Sequence, residues 1–100
     1  MVKHTIRWSE HSKTDLKEIF EYIRNAESYE RAKYVVSEIR NAVNKITPFP
    51  AKHTKEPIIT AGNVRYVVKW SYKILFTIET KQINIIRIFH TAQNPDKLIC

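Results

Sequence analysis

A single glycine among 100 residues rules out the glycine-rich loops that cradle phosphates in nucleotide-driven enzymes. The one cysteine, Cys100, has no partner for an intramolecular disulfide and belongs to no thiolate set that would hold a metal cluster. His4, His11 and His53 lack companions at metal-ligand spacing, so neither a metal nor another cofactor is expected. No serine lies in a nucleophile-elbow sequence, which removes a common hydrolase pattern. Apolar runs fall well short of the ~20 residues that span a bilayer, and the first residues lack the order of a secretion signal. The expected setting is therefore cytoplasmic, away from membrane. Acidic residues are also scarce: ten Asp and Glu face seventeen Lys and Arg, a net charge of +7. That imbalance attracts nucleic acid, anionic membrane or acidic protein segments without choosing among them.

What the chain does contain is an ordinary globular balance, 43% hydrophobic and 27% charged, which separates it from disordered sequences. Residues 1–100 suit one domain with a modest core, burying about 60 to 70 per cent of the unfolded surface. From Val2 to Trp8, apolar and polar positions alternate with the period of a half-buried strand. Ser9 or Ser12 is placed to cap a helix whose Leu16, Ile19, Phe20 and Ile23 form one stripe, opposite Lys13, Lys17, Glu18, Glu21 and Arg24. Ser28 is placed to cap a second helix, with a stripe of Ala32, Val35, Val36, Ile39, Val43 and Ile46. Neither helix is long enough to stand alone in water, so the pair is expected to form a hairpin held by a shared apolar surface.

Pro48, Pro50 and Pro57 mark a connector over 47–57, and Ile58-Ile59 precede a Gly62-Asn63 turn signal. Three β-rich runs follow, Val64 to Trp70, Tyr72 to Glu79 and Gln82 to His90, with short joins at Ser71-Tyr72 and Thr80-Lys81. The last two runs are apolar at both parities, as in strands buried on both faces. The fold class is α+β: an N-terminal strand, a two-helix hairpin, then a mostly antiparallel sheet of three to four strands. Arg65, Lys69, Lys73, Arg87 and His90 lie on or beside these strands with Tyr66, Trp70 and Tyr72. Cations interleaved with aromatics can hold a phosphate and stack a base. The competing structural reading is a charged sheet face that resists aggregation, with Trp70 in the core.

Several runs together resemble RelE/ParE-type toxins. They are Trp8-Ser9-Glu10, Asp15-Leu16, Ile19, Tyr22-Ile23, Ile46 and Phe49-Pro50 in the first half, and in the second half Val64-Arg65, Tyr72-Lys73-Ile74-Leu75-Phe76, Ile86-Arg87-Ile88-Phe89-His90 and Gln93-Asn94-Pro95-Asp96-Lys97-Leu98. The resemblance covers nearly the whole chain. It implies a growth-arresting toxin neutralised by a cognate antitoxin, the pair often repressing its own operon and so reaching operator DNA through the antitoxin. It also implies one of two targets. RelE-like members cleave messenger RNA on the ribosome, and ParE-like members inhibit DNA gyrase. Cleaving members commonly carry arginine where this chain has Lys73, a point charge without the bidentate fork of a guanidinium. Several also place a tyrosine near the C-terminus, whereas no tyrosine follows Tyr72 here. With the long hairpin, these features resemble the ParE branch more, and there the segment Gln93 to Cys100 is implicated in target inhibition.

For a nuclease, the resemblance implies attack of a ribose 2′-hydroxyl on phosphate. Lys73 or His90 would then move the proton, and Arg87 or Arg65 would stabilise the charged phosphorane. Arg65 and Lys69 are the candidate contacts to nucleic acid or target. A non-toxic binding module is the remaining alternative.

Overall fold

The computed structural model describes residues 4–47 and 64–91. Within them the element order is β1 (Thr5–Trp8), α1 (Glu10–Ala26), α2 (Tyr29–Asn44), β2 (Arg65–Lys69), β3 (Tyr72–Glu79) and β4 (Gln82–His90). Most of the proline-bearing connector, Ile58-Ile59, Gly62-Asn63 and the Gln93 to Cys100 segment lie outside the described residues.

The strands form one sheet in the order β1-β4-β3-β2. β2, β3 and β4 are antiparallel neighbours, while β1 runs parallel to β4, Trp8 standing opposite Ile85. A parallel pair cannot be joined by a tight turn, and the helical hairpin lies in the crossover that returns the chain. The expected α+β architecture is the one observed.

Both helices start at the residues that sequence marks as caps. Ser9 accepts a hydrogen bond from the Ser12 amide and Ser28 accepts one from the Arg31 amide, each satisfying a donor that the first helical turn leaves open. Of the two candidates at the first helix, Ser9 is the cap. Ser12 lies inside the helix, where its hydroxyl donates to the Ser9 carbonyl at 2.8 Å. The stripes read from periodicity face inward: Leu16 and Ile23 of α1 and Ala32, Val35, Ile39 and Val43 of α2 are buried with Ile46. They pack on Ile74, Phe76, Ile83, Ile85 and Ile88, one face of the sheet. The predicted polar stripe of α1 is exposed.

A second, smaller cluster of Val64, Leu75 and Phe89, flanked by Tyr66 and Ile86, occupies the opposite face. The two clusters explain why β3 and β4 are apolar at both parities. The alternation is interrupted once. Phe76 pairs with Ile85 but Leu75 pairs with Arg87, so Ile86 is an extra residue at a β-bulge. Ile83 and Ile85 before the bulge share the helical face with Ile88 after it, whereas strict alternation would have put Arg87 on that face. One turn also differs from expectation. The β2–β3 loop is Trp70-Ser71, with Trp70 outside the strand and in a positive-φ conformation, φ 55°.

Truncating the core tests this packing. Ile39→Ala removes a side chain with no solvent exposure, and Leu16→Ala one that is 6% exposed. Each is expected to cost about 2 to 5 kcal/mol in urea unfolding.

Candidate functional site

β1 covers the outer edge of β4 only as far as Ile85, and the first turns of α1 take over from there. The Ser9 amide donates to the Ile85 carbonyl at 3.0 Å and its hydroxyl to the Ile86 carbonyl at 2.8 Å. Asp15, almost fully buried, then accepts from the Ile88 amide at 2.9 Å. The same carboxylate takes Arg87 through two bonds, Nε at 2.8 Å and Nη2 at 3.2 Å. This is the planar fork-to-carboxylate pairing that only arginine offers. The bonds to Asp15 raise the Arg87 pKa above its ordinary value, partly opposed by burial. The guanidinium is permanently charged and committed to α1. In the sequence Asp15 stands out only within the Asp15-Leu16 run of the family resemblance. Its role rests on a contact across 72 residues, which no local pattern reports.

The sequence-predicted residues divide between the two faces of the sheet. Lys73 stands opposite Phe89, and Arg87 opposite Leu75. These two cations therefore share the face away from the helices, as diagonal cross-strand neighbours about 7 to 8 Å apart in ideal geometry. The Lys73 ammonium lies 4.1 Å from the centre of the Tyr66 ring, so one aromatic-cation pair adjoins the Asp15-bound arginine. His90 falls at the other parity. It stands opposite Tyr72, its ring edge-on to the Tyr72 ring at 5.4 Å. Tyr72 packs against the helical core, and burial first, then Tyr22 and Glu27, raises its pKa against the opposing effect of Arg31. At neutral pH it is a protonated phenol. Arg65 pairs with Phe76 and Lys69 with Tyr72, also at the helical-face parity. Lys69 forms an ion pair with Glu38 of α2 at 3.6 Å. Lys73 and Arg87 are thus brought together, and His90, Arg65 and Lys69 are placed apart from them.

A groove of about 700 Å³ runs beside the hairpin. Trp8, Leu16, Phe20 and Val36 give it an apolar lining, and Lys13, Lys17, Arg24 and Arg40 stand along it against the single carboxylate Glu21. Periodicity places Lys13, Lys17, Glu21 and Arg24 on the polar face of α1, and the packing of the two helices makes that face one wall of a depression. Among the described residues no group of His, Cys, Asp and Glu is arranged to hold a metal ion, and no helix is long and apolar enough to cross a membrane.

This architecture is the fold of known toxin structures. The chromosomal ParDE toxin-antitoxin system of P. aeruginosa contains a chain that superposes with a TM-score of 0.75 at 21% identity, covering 88% of this chain and 96% of that one. The RelBE2 toxin-antitoxin complex of Mycobacterium tuberculosis contains one with a TM-score of 0.69 at 17% identity, covering 93% and 97%. Among curated proteins no sequence matches this chain significantly. The ParE toxin family, described as the ParE toxin of the type II toxin-antitoxin system parDE, matches residues 6–95. The chain belongs to that family and is a toxin of the RelE/ParE superfamily.

The Asp15 contact carries a stability prediction. Asp15→Ala leaves the buried Ile88 amide and the partly buried Arg87 guanidinium without their acceptor, and is expected to cost about 2 to 3 kcal/mol in denaturant unfolding. Restoring only a neutral acceptor with Asp15→Asn should recover part of that loss.

Proposed function

We propose that this toxin arrests bacterial growth by inhibiting DNA gyrase, and that a cognate antitoxin neutralises it by laying an acidic, apolar segment in the groove beside the hairpin. One observation carries the choice of target. General acid-base catalysis requires its groups within hydrogen-bond reach of one reacting centre. Here Lys73 and Arg87 share one face of the sheet while His90 belongs to the other, and the Arg87 fork is engaged by Asp15. Such a division disfavours a ribonuclease built from these residues. It leaves inhibition by binding, the reading that family membership also supports.

The choice is tested by two assays on the same proteins: inhibition of gyrase supercoiling and ribosome-dependent messenger cleavage, with wild-type chain and His90→Ala. The expected result is supercoiling inhibition of equal strength in both and no cleavage in either. Messenger cleavage by the wild type that drops about 100-fold in His90→Ala would replace gyrase with messenger RNA as the target.

The antitoxin reading rests on the charge of the groove. Opposite charges guide encounter and weaken as salt screens them, whereas apolar burial does not. Lys17→Glu combined with Arg40→Glu is expected to weaken capture by the protein encoded beside this gene at least tenfold at low salt, measured by calorimetry. The difference from wild type should shrink as salt rises.

A further inference from the structure

The largest exposed apolar side chains among the described residues are Tyr22, Tyr29, Tyr34, Val68 and Trp70, so four of the five are aromatic with a polar handle. Two of them are brought together from distant parts of the chain. Tyr34 of α2 meets Trp70 of the β2–β3 loop, ring centres 5.9 Å apart and planes inclined by 34°. Arg31 lies over the Tyr34 ring at 5.6 Å and Lys69 over the Trp70 ring at 4.7 Å. About half of each aromatic side chain remains in solvent, 51% for Tyr34 and 48% for Trp70. A surface of two half-exposed rings has a hydration cost that a monomer gains nothing by keeping.

The backbone adds a second observation. Lys69 pairs with Tyr72, so the hairpin turns in two residues, and the first of them has φ 55°. Two-residue hairpins of this kind favour glycine there, since a side chain at positive φ crowds its own carbonyl. A bulky aromatic in that position is strained, and strain of this sort concentrates where a side chain is held for contact with something else. Glycine or asparagine would turn the chain at lower cost but would not present an indole.

We infer that Tyr34, Trp70, Arg31 and Lys69 form a docking surface for the protein target of this toxin, separate from the basic groove beside the hairpin. The inference rests on the reading of the chain as a growth-arresting toxin. Its chemistry favours a protein partner. Tyr, Trp and Arg are the residues that dominate protein-protein binding energy. The rings already carry cations, and each cation has its own carboxylate, Glu27 at 4.0 Å from Arg31 and Glu38 at 3.6 Å from Lys69. A nucleic-acid backbone would meet those carboxylates, and a base would compete with the cations for the rings. The polar groups at the surface of the cluster, an indole N–H, a phenol, a guanidinium and an ammonium, are mainly donors. With Glu27 and Glu38 beside the two cations the rim of the cluster carries no net charge, and its complement is an apolar pocket with a mixed rim of peptide donors and carbonyls on a folded protein.

The test uses Trp70→Gly and Tyr34→Ala in the full chain. Glycine relieves the positive-φ strain, so Trp70→Gly is expected to melt at or above the wild-type temperature. Growth arrest on expression should nevertheless fall at least tenfold, as should affinity for purified gyrase. Tyr34→Ala, on an exposed helix face, should show the same loss with an unchanged melt. Full growth arrest by both variants would overturn the proposal. So would a loss of arrest that only follows a loss of thermal stability, or wild-type binding to a labelled single-stranded oligonucleotide that the variants lose, which would make the surface a nucleic-acid face. The target is judged separately. If wild-type toxin leaves gyrase untouched while both stable variants lose arrest, the surface stands and gyrase is the wrong protein. If wild type and variants inhibit gyrase equally, gyrase stands and the surface falls.

Discussion

The position of α1 depends on the hydrogen bonds that Ser9 and Asp15 make to the edge of β4. Where β1 stops beside β4, the sheet edge would present unpaired amide and carbonyl groups, and such groups are costly where they are buried. Ser9 and Asp15 satisfy them, so that the start of a helix takes the place of a strand. Asp15 also receives the Arg87 fork. Ser9 and Asp15 together tie the first turns of α1 to the sheet edge, and Asp15 also holds Arg87 at the edge of the open face.

A buried ion pair is weak evidence of net stability, because desolvation offsets the attraction. Its value here is geometric. With Asp15 present, the guanidinium has a defined direction and α1 a defined angle. Both are needed if a surface more than one side chain wide is to keep its shape when a partner arrives.

The basic charge is not spread evenly over function. Part of it lines an apolar groove, part is tied to carboxylates around Tyr34 and Trp70, and part lies with Tyr66 on the open face. A net charge of +7 describes all three in sum and distinguishes none of them. A fold shared with both ParDE and RelBE2 systems cannot choose a target either, since targets are selected by sites that the fold carries. The separation of Lys73 and Arg87 from His90 bears on that choice directly, and it belongs to side-chain placement, not to architecture.

Periods of 3.6 and 2, serine caps and short polar joins are local properties, and from them the order of elements, the helical stripes and the Ser28 cap are legible, while the first cap is narrowed to Ser9 or Ser12. Local patterns also identified β3 and β4 as strands covered on both faces. They did not locate the bulge at Ile86, because an extra residue in one strand shows itself only against its partner. That residue puts Arg87 on the open face and Ile88 in the core, and its one-residue shift aligns Lys73 with Arg87 instead of His90; Arg87 and His90, three residues apart, take opposite faces under any alternation. The Asp15–Arg87 bond and the Tyr34–Trp70 contact join elements far apart in the chain, and no spacing rule connects them. The sequence by itself determined which segments are helix and strand, which faces are apolar and that the chain is basic, since backbone sterics and burial act residue by residue. Only the tertiary structure decided which cations stand together and which aromatics stay in solvent, because strand register and helix placement are set by contacts between segments.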